Sequence, residues 1–432
     1  MPIHFASLLP KASLQSFARL APHEDPFVDG LRGLSVLMVI WFHTLYAINF
    51  AFGPDYFQTY LTQYPAWLHF IFGGDKAVDI FFMISAFLLG SSLKRQASER
   101  TLSVSRFYIH RIFRIYPLFL VALLVFGLAG GFGSVERLVV NLLFIDSIKT
   151  IVPVGWSLAV EMQCYLVLPL VIILAHRSNH PLLFLWFLLF VSMGARTYLA
   201  LQQPESYQTP FINFLTKEAD INLYMHPLYY STLGRANSFI MGLIWAYTLG
   251  SPGVSRVVTA MQKQSILYHG SLLACFAVIY ASMNFPVYVG TAPYYQNFDA
   301  QLNLIAVVNH RWAFCMALLG IILLTQKDAT LGLGRYCRKA LTLTFWRPFS
   351  KMAFPIYLFH FPFVALGWLL VLRTTNLEGI SHISIWQTIV AAIFTTLLVT
   401  WFSMPLHFKL ELKGIQLGKK LANAPFLKRR NS

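Results

Sequence analysis

Five short groups of polar residues interrupt a chain that is otherwise strongly apolar, and their types and spacing are those of acid–base chemistry and anion binding. Arg32 and His43 are eleven residues apart. On a helix that is about 16 Å and close to three turns, so both side chains fall on one side. An imidazole in that position can take a proton from a hydroxyl or carry a group transiently. A lone buried His is more often a packed core residue, and the face shared with Arg32 is what favours chemistry. Asp79, in Val78-Asp79-Ile80-Phe81-Phe82-Met83-Ile84-Ser85, has two readings: it caps or pairs with Lys76, or it partners His43 and fixes its tautomer. Ser157, Glu161 and Tyr165 recur at i, i+4 and i+8 and form one polar stripe on an apolar helix. Glu161 is there either a proton carrier or a hydrogen-bond anchor. Arg111 and Arg114 sit at i, i+3, so both guanidinium groups face one way, toward lipid headgroups or toward a phosphorylated ligand. Tyr357 and His360 share a face in a late apolar segment, and Arg235 and Arg311 add two buried cations. Asp79 and Glu161 are the carboxylates available to neutralise them.

The elements that must position these groups follow from composition. Of 432 residues, 57% are hydrophobic and only 12% charged, against roughly 25% charged in a soluble domain. A soluble fold could not hide that much apolar surface, and the chain is too apolar for disorder. Segments of ~20 apolar residues lie at about 34–52, 70–93, 116–134, 156–175, 181–201, 229–249, 266–283, 304–325, 352–372 and 385–404. The sequence therefore predicts an all-α integral membrane bundle of about ten transmembrane helices. The piece from Leu138 to Ile145 is too short to cross and reads as re-entrant or interfacial.

With the N-terminus inside, 25 of the 33 Lys and Arg residues fall on the inner side, which the positive-inside tendency favours. Both termini are thus expected to be cytoplasmic. The division is an N-terminal segment 1–26, a membrane domain 27–405 and a basic tail 406–432. The net charge of +16 is a topology signal with attraction to anionic lipid, so membrane lipid is an expected partner and nucleic acid is not. The four cysteines form no disulfide framework and the histidines are not at ligand spacing, so no metal is expected. There is no GxSxG elbow, phosphate-binding P-loop or HExxH pair. The first 30 residues lack the order of a removable signal peptide, and no fused hydrolase-like domain is expected.

Taken together, the groups resemble the motifs of the membrane-bound acyltransferase-3 family. Asp29-Gly30-Leu31-Arg32-Gly33 with His43 is similar to its Arg-x10-His signature, and Val78 to Ser85 to its second motif. Arg111-Ile112-Phe113-Arg114 is similar to its Arg-x-x-Arg element. Trp156-Ser157-Leu158 with Glu161 and Tyr165 resembles Trp-Ser-Leu-x-x-Glu, and Tyr357-Leu358-Phe359-His360 resembles Tyr-Leu-x-His. They occur in the family's order across about 27–405. The chain departs from the pattern at Ala86 (usually Gly), at Ala353-Phe354 (usually Ser-Tyr) and at Ser403-Met404-Pro405, which lacks the Glu of a closing Glu-x-Pro.

The resemblance implies transfer of an acyl group, usually acetyl, from cytoplasmic acyl-CoA to a hydroxyl of a cell-envelope glycan or glycolipid at a bacterial cytoplasmic membrane. Typical acceptors are lipopolysaccharide O-antigens, exopolysaccharides and periplasmic glucans. Arg111 and Arg114 are then expected to hold the CoA phosphates, with Arg32 guiding the donor. His43 is the expected general base or acyl carrier, oriented by Asp79 or Glu161. A buried Arg or Tyr165 is expected to stabilise the oxyanion, and His360 belongs to the same set. The rival reading is a proton-coupled transporter or flippase, which also needs buried charge; acylation of an acceptor by labelled acetyl-CoA separates the two.

Overall fold

The protein is described from a computed structural model covering residues 25–325, 332–377 and 380–424. All but the last two residues of the N-terminal segment 1–26 lie outside these, as does the Lys428-Arg429-Arg430 end of the tail. Among the described residues every regular element is helical. The first half runs α1 (Pro26–Phe52), α2 (Pro54–Leu61), a 3₁₀ stretch (Ala66–Lys76), α3 (Ala77–Ser98), α4 (Val104–Gly130), α5 (Val135–Leu142), α6 (Gly155–Arg177) and α7 (Pro181–Gln202). After several short turns and a π-helical turn (Met225–Tyr230) come α8 (Thr232–Thr248), α9 (Pro252–Lys263), α10 (Ser265–Met283) and α11 (Ala300–Leu324). The chain ends with α12 (Leu333–Leu341), α13 (Trp346–Lys351), α14 (Ala353–Leu372), α15 (Ile385–Leu406), a π turn (His407–Glu411) and α16 (Leu412–Ala422).

Nine helical stretches among the described residues are long and apolar enough to cross a membrane. The expected span at 229–249 is the 17-residue α8, shorter than the ~20 residues that a lipid-exposed crossing requires. It is enclosed by protein and buried along most of its length, so it need not meet both lipid boundaries itself. The outward faces of α4, α7 and α15 expose Leu124, Phe187, Phe190, Leu397 and Trp401. Rows of large apolar side chains on the outside are what a hydrocarbon solvent requires and water does not tolerate. The short piece around 138–145 is α5, eight residues long and capped by Ser134. Asn141 ties it to the loop that follows, through the carbonyls of Arg137 and Lys149 and the N–H of Ile151.

Local sequence explains the elements that carry the polar groups. α1 starts where Asp25 accepts from the N–H of Phe27 and Pro26 occupies the first turn, a position where a missing N–H does no harm. α3 and α8 cross closely because residue 242 is glycine: a Cβ there would lie 2.2 Å from the carbonyl oxygen of Met83 and 2.7 Å from the Cβ of Ala86. The span expected at 116–134 begins earlier and carries Arg111 and Arg114: α4 runs unbroken from Val104 to Gly130. Pro117 has no N–H for the carbonyl of Phe113, four residues earlier. Gly414 of α16 comes against that freed oxygen, where a Cβ would be 2.5 Å away. The tail thus begins as a helix folded back on α4, beside the two arginines.

Candidate active site

A cavity of about 470 Å³ opens at the end of the bundle that carries the starts of α1 and α4. Arg32, Arg114 and Lys351 give it a basic mouth, joined by His407 and Glu411 from the π turn. Its walls are apolar, with Val78, Phe81, Phe82, Leu88 and Leu158, and carry Ser85, Ser157, Glu161, Tyr165 and Tyr357. Tyr357 and Ser157 hydroxyls are 2.6 Å apart. Ser157 also reaches the carbonyl of Val154 at 3.0 Å.

One helical turn beyond Tyr357 lies a pair of histidines. His360 Nε2 is 3.1 Å from His43 Nδ1. His360 Nδ1 is 2.8 Å from the carbonyl oxygen of Tyr357, and His43 Nδ1 is 2.9 Å from that of Val39. A ring nitrogen facing a carbonyl oxygen must carry the hydrogen, because the oxygen can only accept. Nδ1 is therefore the protonated nitrogen on both rings. His360 Nε2 is left bare, to accept from His43 Nδ1–H. His43 Nε2 is left with a free lone pair, the form a general base needs. The pair is enclosed by rings, with Phe361 4.6 Å and Phe42 5.2 Å from His43 by centroid.

The sequence-predicted residues divide between this cavity and a second cluster. Arg32, Arg114, Glu161 and Tyr165 line the cavity. His43 and His360 meet each other outside its lining, with the His360 ring 6.0 Å from that of Tyr357, which lines it. Arg111 does not line the cavity: it lies against the ring of Tyr165, 6.0 Å from the centroid, and Tyr165 and Arg114 form the lining there. Glu161 accepts from the hydroxyl of Tyr165, whose oxygen is 2.6 Å from Ser85. The phenolic hydrogen is thus engaged within the cavity wall, and Tyr165 holds no spare donor for an oxyanion.

Asp79 partners neither His43 nor Lys76. Arg235 Nη1 reaches both of its oxygens, at 3.0 and 3.2 Å, Arg311 Nη1 reaches Oδ2 at 2.6 Å, and Ser238 donates to Oδ1 at 2.7 Å. Lys76 goes instead to Asp75, at 2.9 Å, and to the carbonyl of Phe285, at 2.6 Å. Asp75 also takes Arg311 Nη2 at 2.5 Å. Two fully buried guanidinium groups have no water to turn to, and the fully buried Asp79 at the first turn of α3, where the helix end favours an anion, is their counter-charge. Of the two carboxylates expected to neutralise them, Asp79 does so and Glu161 does not. Tyr229 stacks on both cations, 4.2 Å from the Arg235 guanidinium and 4.9 Å from that of Arg311. Arg196 is buried too, bonded to the carbonyls of Leu228, Gly234, Val307 and Val308.

Sequence reasoning missed Asp75 as the second counter-charge and the pairing of His360 with His43. The signal for Asp75 was the doublet Asp75-Lys76, an ion pair written into adjacent residues. The second had none, because the two histidines are 317 residues apart.

Comparison with known proteins bears on this arrangement directly. A family model described as an acyltransferase domain matches residues 25–407. The chain belongs to the acyltransferase-3 family. The match takes in α1 through α15, so the histidine pair and most of the cavity lining lie within it, while Phe408, Glu411, Leu412 and Ile415 of the lining follow it. Among curated relatives, the peptidoglycan O-acetyltransferase OatA of Listeria monocytogenes is 24% identical over 396 residues, covering 85% of this chain and 53% of its own length. The chain thus spans about half the length of that relative. An uncharacterised protein of Haemophilus influenzae is 28% identical over 169 residues, 32% of this chain and 69% of its own. A protein of the picA locus of Rhizobium radiobacter is 31% identical over 102 residues, 24% of this chain and 44% of its own. No solved structure matches the chain. As a member of this family with many apolar helices, the chain is a multi-pass membrane protein.

Proposed function

We propose that this protein is a membrane-embedded O-acyltransferase that moves an acyl group, acetyl being favoured, from acyl-CoA to a hydroxyl of a cell-envelope glycan. Support comes from the acyltransferase family, from a relative that acetylates peptidoglycan, and above all from one observation. A cavity with a basic mouth is lined by Tyr357, whose ring lies 6.0 Å from that of His360, and His360 in turn holds His43 with its Nε2 bare of hydrogen. The reading puts the basic mouth and both termini at the cytoplasmic face of a bacterial inner membrane, where CoA is found.

In this mechanism Arg32, Arg114 and Lys351 hold the CoA phosphates, since guanidinium forks and an ammonium suit phosphate oxygens. The thioester arm runs up the cavity along α1, a rise of about 16 Å from Arg32 to His43. His43 Nε2 takes the proton of the acceptor hydroxyl as its oxygen attacks the thioester carbon. The tetrahedral adduct collapses, the C–S bond breaks, and the departing thiolate receives that proton from His43. Throughout, His360 accepts from His43 Nδ1–H and holds the ring in the tautomer that does this work. The acceptor is a polysaccharide or glycolipid of the envelope, lipopolysaccharide and exopolysaccharide included.

The test is direct. Purified protein in lipid nanodiscs receives radiolabelled acetyl-CoA and envelope glycan. Label in the glycan fraction, lost in His43→Ala with the protein still present in the membrane, supports the assignment. Full acylation by that variant, or proton-driven movement of a solute with no acyl transfer, overturns it.

A further inference from the structure

A second cavity, of about 390 Å³, lies at the same end of the bundle as the basic mouth, among the ends of α3, α6 and α8 and the start of α7. Lys94, Ser98, His176 and Tyr247 line it together with Leu182 and Leu249, and no carboxylate does. Lys94 gives one hydrogen bond, to the carbonyl of Ala246 at 3.3 Å, and its ammonium rests 4.6 Å from the centre of the Tyr247 ring. An ammonium has three donors, so two remain for a ligand, and no acidic side chain among the described residues pairs with it. The second observation is the hydroxyl of Tyr247. The residue is only 8% exposed, yet its oxygen has no hydrogen-bond partner. A buried hydroxyl left unpaired is costly, and here it belongs to a side chain lining a cavity next to an unpaired cation.

We propose that this cavity binds the phosphate headgroup of an anionic phospholipid of the leaflet on that side. Lys94 and the Tyr247 hydroxyl take the phosphate oxygens, and Ser98 and His176 flank them. The apolar flank decides between a lipid and free phosphate. Leu249 is 44% exposed, and α7 continues the apolar surface outward through Leu183 and Phe187. A ligand seated there meets donors at one end and a hydrocarbon-facing wall at the other, which is the shape of a phospholipid. The site is separate from the acyl-transfer cavity, with which it shares no lining residue.

The experiment is native mass spectrometry of the full-length protein in mild detergent, titrated with phosphatidylglycerol, with phosphatidylcholine and with inorganic phosphate. The parent is expected to retain phosphatidylglycerol about tenfold better than phosphatidylcholine, whose phosphate is the same but whose choline cation brings a like charge to Lys94. Tyr247→Phe keeps the ring and its packing and removes only the oxygen; it should lower retention severalfold with an unchanged lipid-free unfolding midpoint. Lys94→Gln should abolish the preference. Equal retention of the two lipids by the parent, or an unchanged preference in both variants, overturns the site. Inorganic phosphate binding as tightly as phosphatidylglycerol overturns the lipid as its occupant.

Discussion

Replacing His360 tests the proposed base most sharply, because His360 touches His43 but does not line the donor cavity. In His360→Phe the aromatic volume stays while the acceptor for His43 Nδ1–H disappears. His43 keeps the carbonyl of Val39 at 2.9 Å, so the ring loses one of two restraints and its partner in sharing charge. When His43 is protonated during attack, that lost bond would be one made to a charged group, worth about 1.5–3 kcal/mol. The expected fall in kcat is therefore about tenfold to a hundredfold. KM for acyl-CoA should not change, since the phosphate contacts lie about 16 Å away along α1. His360→Gln keeps an oxygen able to accept and should recover part of the loss. Steady-state rates with acetyl-CoA and a soluble glycan acceptor give both constants. The double variant with His43→Ala should be no slower than His43→Ala alone, because a positioning residue has nothing left to position. An additive further loss, or a rise in KM with kcat intact, would refute the argument.

Other perturbations separate the two polar clusters. Arg114→Ala removes a cation from the mouth and should raise KM for acyl-CoA roughly tenfold, read from the same rates; Arg111→Ala, whose side chain packs on Tyr165, should change KM much less. Asp79→Asn leaves Arg235 and Arg311 short of a buried counter-charge and should cost about 3–5 kcal/mol, seen as a lower unfolding midpoint and poorer recovery from the membrane. Gly242→Leu must drive α3 from α8 at the carbonyl of Met83, and overpacking of this kind costs about 1–3 kcal/mol, checked by thermal unfolding in detergent.

The class of fold was legible in the residues because it follows from local rules. Long apolar runs announce spans, and the eleven-residue interval from Arg32 to His43 follows from helix pitch alone. What was not legible depends on which helices become neighbours. Asp79 offered two partners by type and position, Lys76 and His43, and took neither. Its actual partners sit on α8 and α11, at separations of 156 and 232 residues. The same holds for Arg111, whose direction was set by a ring on α6, and for the tail, whose helix is fixed by the glycine face that meets Phe113 and Pro117. The span expected at 229–249 is there but shorter, the 17-residue α8, because its neighbours supply the apolar surroundings that lipid otherwise would.

The separation of the two clusters has a physical rationale. Buried ion pairs contribute little net stability, and their best-attested use is to fix one register among alternatives. Asp79, Arg235 and Arg311 tie α3, α8 and α11 together, and Arg311 reaches on to Asp75 in the stretch before α3. α3 also carries Val78, Phe81, Phe82, Ser85 and Leu88, which wall the cavity. A slip of α3 by one residue would break the pairs on Asp79 and rotate that wall by about 100°, away from Tyr357. The charges thus act on the chemistry at a distance: they hold the register of the wall that meets Tyr357, and among the described residues no carboxylate is hydrogen-bonded to His360 or His43. That distinction has a readout of its own. Asp79→Asn, purified at low temperature where it stays folded, should bind acetyl-CoA normally and lose kcat, whereas an Asp79 that oriented His43 directly would shift the pH profile of kcat; a shifted profile with normal stability would return Asp79 to the catalytic group.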